Sequence, residues 1–118
     1  MNKNITVLGS TGSIGRQALD VISSQSGEMT LFGLSARSDI ETLIDQAKRF
    51  RPRVVASETP FDPARLPAGT ETIFGEGASI VLAARAEADV VVNGVSGFAA
   101  LKPLLAALEQ GKRVALAN

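Results

Sequence analysis

Three glycines at a spacing of three residues lie near the start of the chain, between an apolar run and a segment with helical periodicity. Gly9, Gly12 and Gly15 follow residues 5–8, and apolar side chains recur after them at positions 14, 18, 19 and 22. In a strand–turn–helix unit, such glycines allow a tight turn, let a pyrophosphate approach the backbone, and let the helix pack closely on the strand. The N–H groups and dipole of the helix N-terminus attract an anion. This stretch predicts a dinucleotide-binding turn, although its spacing is G-x-x-G-x-x-G instead of G-x-G-x-x-G. A tight turn without a ligand is the alternative.

A charged segment follows the second apolar run of strand length and precedes an amphipathic helix. In a dinucleotide-binding unit this strand end lies beside the adenosine ribose, where an acid binds the 2′-hydroxyl of NAD and an arginine accommodates the 2′-phosphate of NADP. Arg37 and Ser38 therefore favour NADP over NAD. The alternative is that Arg37 is a solvated loop charge and that Ser38 only caps the helix, in a capping box with Glu41. Asp39 would repel a 2′-phosphate if it faced the ribose, but as a first-turn residue it could point away and complement the helix dipole.

The residue types that the chain lacks restrict its chemistry. It contains no histidine, cysteine, tyrosine or tryptophan. A thiolate nucleophile, a zinc–thiolate site and the commonest general base are therefore excluded, as is a hydride-transfer site built on tyrosine. We assign no catalytic residue and no metal ligand, and expect a domain that holds a cofactor for chemistry performed elsewhere. The lack of cysteine fits a reducing compartment, and the first strand leaves no room for a signal peptide, so we expect a cytoplasmic protein.

Length and charge exclude further classes of function. The chain has 118 residues, of which 45% are hydrophobic and 20% charged, and this suits one domain with a buried core. Its 12 basic and 12 acidic side chains balance, whereas a nucleic-acid surface would carry a basic excess. The longest apolar runs are too short to cross a bilayer. We therefore expect neither a nucleic-acid partner nor a membrane partner.

Apolar runs of strand length alternate with helical patterns along the chain. Such alternation indicates parallel βαβ units, whose strands are buried on both faces. The predicted fold class is α/β, a Rossmann-like, doubly wound, mostly parallel sheet with helices on both faces. The predicted strands are residues 5–8, 29–34, 53–56, 72–74, 89–94 and 112–118, and the predicted helices are residues 14–24, a helix from residue 40 that Pro52 closes, and residues 78–86 and 99–110. An irregular connection with room for one helical turn spans residues 57–69.

The ends of the last two strands carry further candidates. Ligands of doubly wound sheets collect beyond the carboxyl ends of the strands. We therefore expect the glycine-containing loop at residues 93–97 to border the cofactor, and Asn118 to reach the cofactor edge of the sheet. An enzyme would continue from this point, so we expect residues 1–118 to be one cofactor-binding domain at the N-terminus of a longer protein.

Several motifs, in this order, resemble the N-terminal domain of 1-deoxy-D-xylulose 5-phosphate reductoisomerases. They are Ile5-Thr6-Val7-Leu8-Gly9-Ser10-Thr11-Gly12-Ser13-Ile14-Gly15, Gln46-x-x-x-Phe50-x-Pro52-Arg53, and a G-K-x-x-x-L-A-N segment from Gly111 to Asn118. Together they are far more specific than the glycine pattern alone. The resemblance runs over essentially the whole chain and covers only the NADPH-binding part of a family member.

The resemblance implies an activity and a cofactor. The family rearranges 1-deoxy-D-xylulose 5-phosphate and reduces the intermediate with NADPH to 2-C-methyl-D-erythritol 4-phosphate, a committed step of non-mevalonate isoprenoid biosynthesis. Its members need Mg²⁺ or Mn²⁺ and are usually homodimers that act on this small-molecule substrate. By motif position, the residues that would hold the pyrophosphate of NADPH and adjoining groups are Thr11, Gly12, Ser13 and Ile14.

The resemblance also places residues at the two ends of the cofactor. Arg37, Ser38 and Asp39 fall where the family contacts the adenosine 2′-phosphate end, and Asn118 falls on the asparagine that contacts NADPH near the start of the active site. The family often has asparagine at the position of Asp39, so an acid there weakens that assignment, although Arg37 could offset its charge. The family's acidic metal ligands and substrate-phosphate groups lie beyond Asn118, and the chain alone is expected to be inactive.

Two other interpretations stay open from the sequence. One is the cofactor domain of another NADP-dependent oxidoreductase with the same glycine spacing, such as a semialdehyde dehydrogenase or dihydrodipicolinate reductase. The other is a stand-alone nucleotide-binding Rossmann domain without catalytic activity. The residues that follow Asn118, if the reading frame continues, would distinguish these interpretations.

Overall fold

The computed structural model describes residues 2–25, 27–94 and 113–116. Within them the elements in chain order are β1 (Lys3–Leu8), α1 (Ser13–Ser24), β2 (Met29–Ala36), α2 (Ile40–Phe50), β3 (Val54–Ser57), a 3₁₀-helix (Pro63–Arg65), β4 (Glu71–Phe74), α3 (Ala78–Ala83), β5 (Val90–Asn93) and β6 (Arg113–Leu116). None of these helices is both long and apolar enough to span a membrane.

The strands form one sheet in the order β4-β3-β2-β1-β5-β6, and every neighbouring pair is parallel. From β1 the chain builds one half of the sheet outward through β2, β3 and β4. It then returns to the other side of β1 and adds β5 and β6. This reversal beside β1 is the topological switch point of a doubly wound sheet, where a crevice opens beyond the carboxyl ends of the strands.

Different helices cover the two faces of the sheet. α1 and α2 bury their apolar faces over one cluster of strand side chains, which includes Val7, Leu34 and Val55. α3 packs on the opposite face, over a cluster that includes Leu8 and Val54. Neighbouring residues of one strand point to opposite faces, so both faces need apolar side chains and the strands read as continuous apolar runs. The predicted fold class, with helices on both faces, is confirmed.

β2 contains a register shift, and the glycine that follows it leaves room for α3. Ile5 of β1 pairs with Leu31 of β2, but the next residue pairs with Gly33, so β2 has one extra residue at Phe32. A Cβ atom on Gly33 would lie only 2.7 Å from a methyl carbon of Leu82 in α3. Glycine at this position therefore makes room for the helix that covers the second face.

The predicted element bounds agree with the structure to within a few residues. β2 continues two residues beyond its predicted end, to Ala36, and α3 stops at Ala83, three residues short of its predicted end. The 3₁₀-helix supplies the single turn expected in the irregular connection. The predicted helix at residues 99–110, the loop residues 95–97 and Asn118 lie outside the described residues.

Candidate dinucleotide-binding site

The parallel strands deliver the predicted turn and the predicted ribose end to the same edge of the sheet. Leu8, the last residue of β1, pairs with Ser35 of β2 and with Asn93 of β5. Adjacent strands lie about 4.8 Å apart, so the segments that follow β1, β2 and β5 emerge side by side. The backbone N–H of Gly94 donates to the carbonyl of Leu8 at 2.8 Å and ties two of these ends together.

The glycine turn has the backbone conformation that its sequence predicts. Gly9 has a positive φ of 67°, a region that residues with a Cβ atom rarely adopt. The N–H of Gly12 donates to the carbonyl of Gly9 at 3.3 Å and closes the turn. Gly12 is then the N-cap of α1, with φ −78° and ψ 173°, and the helix begins at Ser13.

The N-terminus of α1 is uncapped within the part of the chain that the structure describes. Among the described residues no side chain caps it, and its first turn contains no acid. The first N–H groups of a helix have no partner within the helix, and the helix dipole adds partial positive charge to them. Gly12 and Ser13 are exposed, while Thr11 and Ile14 are half-buried. This geometry can hold a phosphate group through backbone atoms.

Gly15 and Gly94 let three backbone segments meet beneath the turn. A Cβ atom on Gly15 would lie 2.4 Å from the carbonyl oxygen of Gly9 and 2.5 Å from the Cα atom of Ser10. A Cβ atom on Gly94 would lie 3.1 Å from the carbonyl oxygen of Leu8 and 3.3 Å from the backbone nitrogen of Gly15. Side chains here would push α1 away from the ends of β1 and β5. The third glycine of the motif is therefore required for helix–strand packing.

A buried polar network, which sequence reasoning missed, supports the turn from behind. Gln46 of α2 donates its side-chain N–H to the carbonyl of Ser10, and its side-chain oxygen accepts from the Ser10 hydroxyl, both at 2.8 Å. The N–H of Ser10 donates to the carbonyl of Ser35 at 2.9 Å. All three residues are buried. The sequence signal that could have revealed this network is a polar residue on the apolar face of α2, three positions after the buried Leu43.

Arg37 follows β2 at the predicted ribose end and is paired with an acid that was not predicted. Its Nε atom lies 3.2 Å from a carboxylate oxygen of Glu58, which follows β3. The Arg37 side chain is 75% exposed and that of Glu58 is 41% exposed. The guanidinium is therefore accessible to a ligand, and it already has a negatively charged neighbour.

The capping role expected for Ser38 was wrong, because Asp39 is the N-cap of α2. The Asp39 carboxylate accepts from the N–H of Thr42 at 3.2 Å. The helix starts one residue later than a Ser38 cap requires, and a carboxylate at the N-cap also interacts favourably with the helix dipole. The side chain of Asp39 therefore serves the helix, and Ser38 is exposed and makes no capping bond.

An open groove of about 290 Å³ between α1 and α2 does not coincide with this site. It is lined by Arg16, Leu19, Asp20, Thr42, Asp45, Gln46, Arg49 and Phe50. None of the predicted cofactor residues lines it, and the turn faces the edge of the sheet instead.

Within the described ranges, no group of three acidic side chains gathers as a metal site would require.

A network of ion pairs lies at the opposite edge of the sheet. Arg85, after α3, pairs with Glu71 at the start of β4 and with Glu87 before β5. The hydrogen bond from Arg85, at 2.7 Å, lowers the pKa of Glu87 to about 2. This network joins the amino-terminal ends of β4 and β5 and is remote from the glycine turn, so we assign it a structural role.

The family model and the curated relatives that match the chain agree on one family. Residues 5–118 match the family model described as 1-deoxy-D-xylulose 5-phosphate reductoisomerase. The reductoisomerase of that name from Gloeobacter violaceus is 42% identical over 123 residues, which cover 98% of this chain and 31% of the relative. The chain thus spans about a third of the length of the curated relatives it matches.

Solved structures of the same enzyme share the fold. The structure from Zymomonas mobilis, in complex with NADPH, has a TM-score of 0.87 and 33% identity, and the match covers 100% of this chain and 32% of that one. A reductoisomerase in complex with NADPH, fosmidomycin and magnesium has a TM-score of 0.86 and 30% identity, over 98% of this chain and 30% of that one. The chain is therefore similar to the N-terminal region of these reductoisomerases, which is the region that the sequence motifs indicated.

Proposed function

The chain belongs to the 1-deoxy-D-xylulose 5-phosphate reductoisomerase family, and we propose that residues 1–118 form the NADPH-binding domain of such an enzyme. The observation that carries the proposal is the open N-terminus of α1 behind the Gly9–Gly15 turn, at the switch point of the sheet. Related structures of 33% and 30% identity contain NADPH, and this supports the same cofactor here.

The pyrophosphate of NADPH would lie against Thr11, Gly12, Ser13 and Ile14. Two features of this chain fit that group. The first turn of α1 offers backbone N–H groups without a capping side chain, and Gly12 has no Cβ atom to hold the phosphates away from them. The Gly15 packing and the Gln46 network keep this turn in one position, so little ordering is needed when the cofactor binds.

The adenosine 2′-phosphate would lie beside Arg37 and Ser38, which follow the neighbouring strand. Arg37 can present its exposed guanidinium to a phosphate, and an arginine–phosphate pair is often bidentate. Asp39 would face the same end only with its backbone or its second carboxylate oxygen, because its Oδ1 atom caps α2. Asn118 would contact NADPH from beyond β6, and it stays a sequence-based assignment because it lies outside the described residues.

The activity of the whole enzyme is part of the proposal. It would convert 1-deoxy-D-xylulose 5-phosphate to 2-C-methyl-D-erythritol 4-phosphate in non-mevalonate isoprenoid biosynthesis, as a cytoplasmic homodimer, with NADPH supplying the hydride. The metal, Mg²⁺ or Mn²⁺, and the catalytic groups would belong to the part of the enzyme beyond this domain, as the family resemblance implies. This division agrees with a chain that lacks histidine, cysteine and tyrosine.

Titration of the 118-residue chain with NADPH and with NADH tests the proposal. We expect binding of both through the shared pyrophosphate, tighter binding of NADPH, and no turnover of substrate. Arg37→Ala should remove the preference for NADPH, while Arg49→Ala, an exposed arginine near the other end of α2, should leave it unchanged. Equal affinity for the two cofactors, or a preference for NADH, would contradict the role of Arg37. Failure to bind either would contradict the cofactor-binding domain itself.

A further inference from the structure

Glu58 is held beside Arg37 by the architecture of the sheet. Ala36 of β2 pairs with Ser57 of β3, so Arg37 and Glu58 are the next residues on two adjacent strands. The Ser57 hydroxyl donates to the carbonyl of Thr59 at 2.8 Å, and the Thr59 hydroxyl donates to the carbonyl of Arg37 at 3.3 Å. The first bond lies within the segment that follows β3, and the second joins this segment to the loop after β2. Glu58 lies between Ser57 and Thr59.

This contact places a negative charge where the proposed cofactor would bring another. Building on the NADPH-binding function proposed above, we propose that Glu58 determines cofactor specificity, because its carboxylate opposes the 2′-phosphate at Arg37 and limits the preference for NADPH over NADH. The 2′-phosphate carries roughly −1.5 to −2 charges at neutral pH. NADH has a neutral hydroxyl at this position and meets no such opposition.

Arg37 can interact with the Glu58 carboxylate and with a 2′-phosphate at the same time. Glu58 contacts the Nε atom of the guanidinium, and the two terminal nitrogens have no partner in the described part of the chain, so they remain for a phosphate. The phosphate would then bind on the far side of the guanidinium, roughly 6–7 Å from the Glu58 carboxylate if both groups make hydrogen bonds of about 3 Å to the guanidinium. Coulomb repulsion over that distance in a water-like medium, reduced by salt, corresponds to roughly a threefold loss of NADPH affinity.

A second effect of Glu58 acts in the opposite direction. By holding the Nε atom, Glu58 restricts the arginine side chain and could orient it for the phosphate. Both side chains are substantially exposed, however, and ion pairs between such groups are weak. The repulsion of a nearly doubly charged phosphate is therefore the larger effect, and it sets the sign of the expected result.

The test compares Glu58→Gln with Glu28→Gln in the 118-residue chain, using NADPH and NADH as probes at about 0.1 M ionic strength. Glu28 is exposed and precedes β2, so its substitution makes the same charge change at the opposite edge of the sheet. We expect Glu58→Gln to lower the dissociation constant for NADPH roughly threefold, to leave that for NADH unchanged, and to lose its effect as salt is added. Glu28→Gln should change neither constant.

The outcomes separate this inference from the proposed function. If the wild-type chain prefers NADPH but Glu58→Gln leaves NADPH binding unchanged or weakens it, the role of Glu58 is refuted and the cofactor-binding domain stands. An equal gain for NADH would also refute it, since the effect would not depend on the 2′-phosphate. If neither the wild-type chain nor Glu58→Gln prefers NADPH, the Arg37 assignment and the Glu58 inference are both refuted.

Discussion

Replacing Gly15 with alanine tests whether close packing of α1 on the end of β1 holds the candidate site together. The new Cβ atom would lie 2.4 Å from the carbonyl oxygen of Gly9 and 2.5 Å from the Cα atom of Ser10. Both are backbone atoms and cannot rotate away as the end of a side chain could. An ordinary contact needs about 1 Å more, so either the helix or the turn must move by about that distance.

The expected cost follows from two opposing effects. Overpacking of this kind costs about 1–3 kcal/mol, and a rigid backbone obstacle places Gly15→Ala at the upper end. Alanine has the higher helix propensity, which returns up to about 1 kcal/mol. We therefore expect a net loss of about 2 kcal/mol in the free energy of unfolding, which for a domain of this size lowers Tm by roughly 6–10 °C.

Gly12→Ala is the matched control in the same turn. Its Cβ atom would lie 3.7 Å from the carbonyl oxygen of Gly9, an ordinary contact, and the φ of −78° suits alanine. The change at the N-cap should cost less than about 1 kcal/mol of stability. The methyl group would, however, stand in front of the N–H groups that are proposed to hold the pyrophosphate. We expect NADPH affinity to fall roughly tenfold, which corresponds to ~1.4 kcal/mol.

Denaturant unfolding followed by circular dichroism measures the stability of both variants, and NADPH titration measures binding. Gly15→Ala should be the less stable variant, whereas Gly12→Ala should keep its stability and lose affinity. An unfolding midpoint for Gly15→Ala equal to that of the wild type would refute the packing argument. Wild-type NADPH affinity in Gly12→Ala would refute the placement of the pyrophosphate.

Three further substitutions test two buried polar side chains and the ion pairs at the amino-terminal edge of the sheet. Gln46→Leu removes both side-chain bonds to the buried Ser10. The Ser10 hydroxyl can still donate to the Ser35 carbonyl at 3.3 Å, but the Ser10 carbonyl loses the side-chain N–H that it accepts from, so we expect a cost of about 1–3 kcal/mol in denaturant unfolding; a loss below ~0.5 kcal/mol would contradict the network. Thr6→Val should raise the free energy of unfolding by up to about 1 kcal/mol, since the buried Thr6 hydroxyl has no hydrogen-bond partner among the described residues, and a destabilised variant would indicate a partner. Arg85 lowers the pKa of Glu87 from 4.5 to about 2, so the stability from this pair is present above pH 4.5 and is lost as the pH falls from there towards 2. In Glu87→Gln, acid unfolding should lack that part of the pH dependence, and an unchanged pH profile would show that the pair contributes nothing.

The elements that could be predicted from the sequence are those set by local patterns. The glycine turn, the adjoining helix and the parallel strands depend on residues close together in the chain. The bounds of α2 follow likewise from the apolar spacing of Leu43, Ile44 and Ala47 and from Pro52. The predicted N-cap of α2 was wrong because Ser38 and Asp39 are both good N-cap residues. The local sequence alone does not decide after which of these two adjacent residues the helix begins.

The contacts that could not be predicted join residues far apart in the chain. Gln46 meets Ser10 across 36 positions, and Glu58 meets Arg37 across 21. Both depend on strand order and register, which place α2 behind the turn and β3 beside β2. The sequence showed an arginine suited to a 2′-phosphate, but it could not show that a carboxylate of the adjacent strand lies 3.2 Å from it.

A backbone hydrogen bond at Ser35 links the two proposed anion-binding positions. Its carbonyl accepts from the N–H of Ser10 at 2.9 Å, within the turn proposed to hold the pyrophosphate. Two residues later β2 leads into Arg37, which is proposed to hold the 2′-phosphate. Backbone hydrogen bonds between β1 and β2 therefore set the distance between the turn and the backbone of Arg37, from which the Arg37 side chain reaches the phosphate. A dinucleotide must contact both positions at once, and a fixed spacing lets it do so without ordering either loop first. The same rigidity keeps Glu58 close to the phosphate, because the loop that carries it is bonded to the loop that carries Arg37.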